Sequence, residues 1–297
     1  MVGVRWVVSI LSLTWAAGAS GQVWKEVTPI NVRRTGAFVL PLVPESSGAI
    51  RSRSVKGLFW TINDSSNPPT LFLADSTGRI RDTVRIERIS NTDWEALSAG
   101  PCGKAWCLYI GDIGDNRAVR PSVTLFRVIE PSQAQLRRGT ARIVDSLVVR
   151  YPDGPRDAEA LVVTSKGDLA IITKGREGPP SVYRIPAASW LRGEVSALAV
   201  GKLPINTSIM LNELVTDAAL SPDEKFLAVR TYRSLYLFQR GRLAAWLPDQ
   251  PKAVCSLDGL DFQGEGLAWL DQTNLLLTSE VTRFGPGAIT ILECPGR

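Results

Sequence analysis

The sequence predicts an all-β chain folded as a β-propeller, most simply of five four-stranded blades. Two observations carry this prediction. A short acidic-small-apolar element recurs five times, and each copy is followed by β-rich runs set between Gly, Pro, Asp and Asn. The copies read Glu45-Ser-Ser-Gly-Ala-Ile, Asp93-Trp-Glu95-Ala-Leu, Asp157-Ala-Glu159-Ala-Leu, Thr216-Asp217-Ala-Ala-Leu and Gly264-Glu265-Gly-Leu-Ala. Their acids lie 50, 64, 58 and 48 residues apart, a spacing that suits a four-stranded blade with variable loops.

The strands follow from β-branched, aromatic and leucine content. In the first unit they are 57–62, 71–74 and 80–86; in the second, 106–110, 123–128 and 141–150; in the third, 169–173, 181–185 and 195–201. The fourth unit offers 226–230, 234–239 and 242–246, and the fifth only 275–279 and 288–292 before the chain ends. The fifth unit therefore lacks an outer strand, which the segment 22–32 is long enough to supply. Lending it would close the ring and leave no open edge between the first and last blades. A six-bladed ring is the alternative if that segment belongs to a degenerate extra blade.

Arg5, the apolar run Trp6 to Ala17 and the small residues Ala17-Gly18-Ala19 read as a secretory signal peptide over 1–19. A single propeller domain is then expected over 20–297, secreted or periplasmic, with no later stretch apolar enough to span a membrane. The four cysteines fit an oxidising compartment: Cys102 and Cys107 flank a short turn, and Cys255 with Cys294 would close the last repeat. A four-cysteine zinc site is the other reading. The chain has no histidine, which removes Ser-His-Asp and Cys-His nucleophiles and every His-ligated metal. Its net charge of +5 is dispersed without aromatic stacking platforms, arguing against nucleic acid. Arg79, Arg81, Arg85 and Arg88 read as charges that guard an outer strand against edge pairing. Trp60, Trp94, Trp106 and Trp269 are expected to pack between blades, and Ser221-Pro-Asp-Glu224 to turn a hairpin on the face opposite any site.

In a propeller the links into the innermost strands share a face with the loops that join second and third strands. Glu45, Glu95, Glu159, Asp217 and Glu265 should therefore converge on one mouth of the channel, where five unpaired acids need compensation. Loops on that face bring Asp64, Asp112, Asp115, Asn116, Lys174, Arg230 and Glu280. These oxygens suit a hard cation such as calcium, which takes about 6 to 8 of them. Lys174 and Arg230 could hold an anionic group beside it. In Gly111-Asp-Ile-Gly-Asp-Asn116 two glycines permit tight turns while three side chains offer oxygens; an Asx turn bonded to nearby N–H groups is the competing reading. For the inner-strand acids, the competing reading is a set of hydrogen bonds that lock neighbouring blades.

The motifs Trp60-Thr-Ile-Asn-Asp64-Ser, Asp93-Trp-Glu-Ala-Leu, Tyr109-Ile-Gly-Asp-Ile-Gly-Asp-Asn116, Asp157-Ala-Glu-Ala-Leu, Thr173-Lys174, Ala228-Val-Arg-Thr-Tyr232 and Ser279-Glu280 resemble those of a group of exported bacterial propellers related in pattern to the esterase-like phytase and other phytase-like proteins. Calcium-dependent nucleotidases are similar in architecture. The residues themselves lead to the expectation of a calcium-binding propeller that receives a small anionic or phosphorylated ligand at the channel mouth; if it is an enzyme, calcium-dependent phosphoester hydrolysis is expected, with Glu95, Glu159, Glu265, Asp112 and Asp115 positioning metal or water and Lys174 and Arg230 neutralising the anion. A non-catalytic binding or scaffolding propeller for a protein or glycan partner is the alternative function.

Overall fold

The computed structural model describes residues 24–38, 40–240 and 247–296; the expected signal peptide lies outside them. Five antiparallel sheets form five blades, so the six-bladed alternative does not hold. From the axis outward, blade 1 is Ser46–Arg51, Leu58–Asn63, Thr70–Asp75 and Ile80–Glu87. Blade 2 is Trp94–Cys102, Ala105–Asp112, Val123–Ile129 and Asp145–Arg150. Blade 3 is Ala158–Val163, Leu169–Thr173, Ser181–Ile185 and Leu198–Lys202. Blade 4 is Val215–Leu220, Phe226–Thr231, Ser234–Gln239 and Ala253–Ser256. Blade 5 is Gly264–Trp269, Asn274–Ser279 and Ala288–Glu293, completed by the N-terminal strand Ile30–Ala37. Each innermost strand neighbours the next, and that of blade 5 returns to blade 1.

Ring closure by the N terminus therefore holds, with its strand shifted toward the C terminus of the expected segment. The earlier residues Glu26–Val27 pair instead with the outer strand of blade 4, in parallel. This is one of three such straps. Thr140–Arg142 pairs in parallel with the outer strand of blade 1, and Glu194–Ser196 with that of blade 2. Each strap is lent by the following blade, so the expected strands 141–150 and 195–201 each split into a strap and a blade strand. The strap also revises the reading of the arginines. Arg85 sits on a strand whose edge is partly covered by Thr140–Arg142, so chain pairing protects that edge as well as charge. The strand expected over 242–246 lies outside the described residues, and Ala253–Ser256 takes its place in blade 4.

The apolar core is divided into five clusters, one between each pair of adjacent blades. Residues that alternate along each strand thus face one neighbouring blade or the other, which is why these strands read as continuous apolar runs. Trp60 and Trp94 lie fully buried between blades 1 and 2, and Trp269 between blades 4 and 5. Trp106 departs from expectation: it is half-buried, lines a cavity on the face opposite the mouth, and carries the Arg53 guanidinium 4.6 Å over its ring. Ser221-Pro-Asp-Glu224 forms the expected hairpin turn on that same face.

Both disulfides form as paired from the sequence, so no cysteine remains for zinc. Cys102–Cys107 staples the first hairpin of blade 2. Cys255–Cys294 joins the outer strand of blade 4 to the end of blade 5, crossing between blades rather than closing one. Bridging residues 39 apart removes unfolded-chain entropy worth about 4 kcal/mol. Such bonds persist in oxidising compartments outside the cytoplasm. No helix among the described residues is long and apolar enough to cross a membrane.

Candidate functional site

One irregularity repeats in every blade and builds the mouth. In each innermost strand the register against the second strand slips by one residue, between Ser46 and Gly48, Trp94 and Ala96, Ala158 and Ala160, Val215 and Asp217, and Gly264 and Gly266. A β-bulge leaves one residue out of the ladder and re-aims its side chain. The five residues so released are Ser47, Glu95, Glu159, Thr216 and Glu265, all buried. A second set lies one residue beyond the second strand of each blade: Asp64, Ile113, Lys174, Tyr232 and Glu280. The backbone N–H of each donates to a carbonyl just ahead of the bulge, on Glu45, Asp93, Asp157, Leu214 and Gln263 respectively. This hydrogen bond, repeated five times, fixes the two sets against each other.

Within this frame the polar groups meet. Lys174 Nζ lies 2.6 Å from Glu159 Oε1, with Glu159 wholly buried. Tyr232 donates its hydroxyl to Glu265 Oε1 at 3.0 Å, and Ser47 donates to Glu95 Oε2 at 3.0 Å. Carboxylate oxygens of Asp64, Asp93 and Glu95 come within 4.8 Å of one another. Glu159 Oε2, Glu265 Oε2 and Thr216 Oγ1 are buried with no hydrogen-bond partner. Orphaned buried oxygens are uncommon in folded proteins, and water, a bound proton, an ion or a ligand is what satisfies them.

The electrostatics follow from the crowding. Burial first, then Glu159 and Asp64, pushes Glu95 well above the carboxylate range; burial, then Glu159, does the same to Glu265. Burial, then Asp64 and Glu45, raises Glu280 to about 7, and burial with Asp64 raises Asp93 to about 6. Glu159 rises to about 7 through burial, against the pull of Lys174. For Lys174 burial acts downward, but Glu159, Tyr232, Glu265 and Glu95 together outweigh it and hold the ammonium charged. One lysine thus faces a set of carboxyls that outnumber it.

The remaining residues singled out from the sequence sit elsewhere. Glu45 lies two residues ahead of the bulge, where Asn67 Nδ2 donates to it at 2.6 Å. Asp217 lies one residue past the bulge and turns to the adjacent blade, accepting the N–H groups of Ala218 and Leu267 at 2.7 Å each; it latches blade 4 to blade 5. Arg230 is fully buried and spends its guanidinium on Gly266 O and Thr278 O at 2.8 Å and on Asp261 at 2.6 Å, again between blades 4 and 5. Asp112 is held by Arg120 at 2.7 Å and by the N–H of Thr92. Asp115 accepts the N–H of Arg120, and Asn116 accepts from Arg176. Within the loop Arg120 thus ties Asp112 and Asp115 together, and outside it the loop is anchored to Thr92 and to Arg176 of blade 3. The loop's contribution to the mouth is Gly114: a Cβ there would come within 2.5 Å of the Asp93 carboxyl and 2.8 Å of Glu95 Cγ, so only glycine lets the loop lie against both acids.

Asp93, Ser47, Thr216 and Tyr232 join the site without having been singled out as candidates. Asp93 stands in the motif that named Glu95, and a comparison of Asp93-Trp-Glu95 with Asp157-Ala-Glu159 carries its signal. Beside the mouth a cavity of about 280 Å³ opens between blades 2 and 3, lined among others by Asn116, Arg117, Arg156, Arg176 and Lys202.

No protein-family model matches the chain, and no curated protein matches it. Solved structures do. The PQQ-bound aldose sugar dehydrogenase from Streptomyces coelicolor is 12% identical over 89% of this chain and 98% of its own, with a TM-score of 0.52. A gluconolactonase from Xanthomonas campestris is 15% identical, covering 89% of each chain with a TM-score of 0.47. The calcium-binding protein regucalcin from Agrobacterium tumefaciens is 13% identical over 86% of this chain and 92% of its own, at 0.45. At such identities the likeness concerns the fold alone, and the fold is the β-propeller.

Proposed function

We propose that the mouth binds a divalent cation, calcium by the chemistry of its donors, and that the bound cation receives the anionic group of a small ligand. The observation that carries this reading is the cluster of Asp64, Asp93 and Glu95 beside buried carboxyl oxygens of Glu159 and Glu265 that lack any donor. The set is all oxygen, with no thiolate or imidazole, which favours a hard ion. Phosphoester hydrolysis is the reaction the arrangement suits. A bound calcium supplies a Lewis acid for a phosphoryl oxygen and an acidified water. The chain's own part is to orient and to hold protons: Lys174 fixes Glu159, Tyr232 fixes Glu265, and Glu280, raised to about 7 before any cation binds, would release its proton as the cation enters and be left as a base. The adjacent cavity gives the rest of the ligand room, with Arg117 and Lys202 at its wall.

Calcium at a hundred times its dissociation constant should stabilise the fold by about 2.7 kcal/mol, raising the thermal midpoint by roughly 5–10 °C over the chelated protein. An unchanged midpoint at saturating calcium would sink the metal. The reaction is tested on a panel of phosphomonoesters, nucleotides and carboxyl esters. Glu95→Gln and Glu280→Gln should each reduce turnover by about a hundredfold or more, and equal rates in wild type and both variants would remove these residues from the mechanism.

A further inference from the structure

Hairpin tips are normally built from Gly, Pro, Asn, Asp and Ser. Two fingers on the mouth face keep such turn residues, Asn212 and Gly285, but add large apolar ones beside them. Ser208 and Glu213 pair as an isolated antiparallel bridge, exchanging both backbone hydrogen bonds, and between them Ile209, Met210, Leu211 and Asn212 form the tip, with Asn212 making the left-handed turn and Met210 96% exposed. Thr282 and Gly285 form a second such bridge, with Arg283 and Phe284 at its tip. Phe284 meets Phe262, on the link into blade 5, with ring centroids 5.2 Å apart, yet the two rings remain 62% and 68% exposed. The fingers belong to the blade 3–4 link and the blade 5 loop, so apolar tips flank the acidic mouth. None of them packs into the five core clusters.

The outer rim around them, unlike the acidic mouth it encloses, carries cations without carboxylate partners. On this face the exposed acids Asp153, Glu177 and Asp258 are paired with Arg156 or Arg233, and Glu26, at the outer edge of blade 4, accepts the Ser234 hydroxyl. The exposed cations Arg117, Lys202 and Arg283 have no carboxylate partner among the described residues, and the Arg283 guanidinium lies 4.7 Å over the Phe284 ring. Exposed aromatic and aliphatic tips beside unpaired cations are the composition that partitions into the headgroup region of an anionic bilayer.

We infer that the mouth face docks on an anionic lipid surface, with Met210, Phe262 and Phe284 inserting at the headgroup level and the unpaired cations meeting lipid phosphates. The mouth then opens toward the bilayer. This goes beyond the proposed cation site and does not depend on it, so the test is run in chelator. The probe is co-sedimentation with vesicles of phosphatidylcholine, with and without phosphatidylserine. Wild type should bind, more tightly to the anionic vesicles. Met210→Ser, Phe262→Ser and Phe284→Ser together should weaken the partition coefficient by at least about tenfold with the thermal midpoint unchanged. Leu191→Ser, at a residue 91% exposed on the opposite face, should bind as wild type does. No binding by wild type, equal binding to the two compositions, or a triple variant that binds like wild type overturns the inference. So does a wild type that self-associates in ultracentrifugation while the triple variant stays monomeric, since the face would then join two copies of the chain.

Discussion

Lys174→Met should destabilise the folded protein at neutral pH in chelator by at most about 3–5 kcal/mol, the loss for a buried ion pair broken with its partner still charged; Glu159, already raised to about 7, relieves part of it by taking up a proton. Lys174 Nζ touches Glu159 directly, and its charge is common to the surroundings of Glu95, Glu265, Glu280 and Asp64. Taking it away leaves the carboxyls with no compensation from within the site. The thermal midpoint should fall by at most about 20 °C. Glu159→Gln combined with Lys174→Met should recover a large part of that loss, because the double variant buries no unpaired charge at that position. Saturating calcium should also recover part of it by supplying another cation. Denaturant titration of the single and double variants measures both effects. Equal stability of the single and double variants would mean that Lys174 does not work through Glu159.

Stability should also fall as pH rises from about 4 to about 7 when the protein is held in chelator. Asp93 and Glu280 are pushed up to about 6 and about 7 from ordinary values of 3.8 and 4.5. The folded state therefore holds protons that the unfolded chain has already released. Stability is fully present below the unfolded values and lost as pH climbs through the folded ones. Glu280 alone accounts for on the order of 3 kcal/mol; Asp93, more exposed, contributes less because solvent screens it. Carboxylates with depressed values act in the opposite direction but lower down. Burial opposes the shift at Asp271, yet the N–H groups of Asn274 and Thr273 hold it at about 2, so its stabilisation is lost only in stronger acid. Calcium binds the ionised carboxylates and should flatten the neutral limb. Thermal midpoints across that range, with calcium and with chelator, give the two curves, and identical slopes would separate the acids from the metal.

The strand pattern was legible because each strand is sandwiched between blade interfaces and so must be apolar on both faces; Leu169–Thr173, Ser181–Ile185 and Ser234–Gln239 coincide with their expected spans. The straps were not legible. Thr140–Arg142 and Glu194–Ser196 are too short to announce themselves, and parallel pairing with a distant strand leaves no local mark.

At the mouth the sequence by itself determined that acids recur once per blade and that Lys174, Asp64 and Glu280 follow the second strands. Alignment by composition could not decide which acid of each repeat faces the channel. Glu95, Glu159 and Glu265 occupy the bulge, but blades 1 and 4 place Ser47 and Thr216 there, leaving Glu45 ahead of it and Asp217 behind it. A slip of one residue turns a side chain to the other face of a strand, and for Asp217 that means the backbone of blade 5 rather than the channel. Arg230 shows the same limit: its charge is plain in the sequence, but only the packing of blade 4 on blade 5 decides that two carbonyls and Asp261 consume it. The sequence determined the repeat, the disulfide pairing and the types of group at one face. Tertiary structure decided which of those groups remain unpaired, because a buried polar atom's partners come from neighbouring blades that lie tens of residues away along the chain.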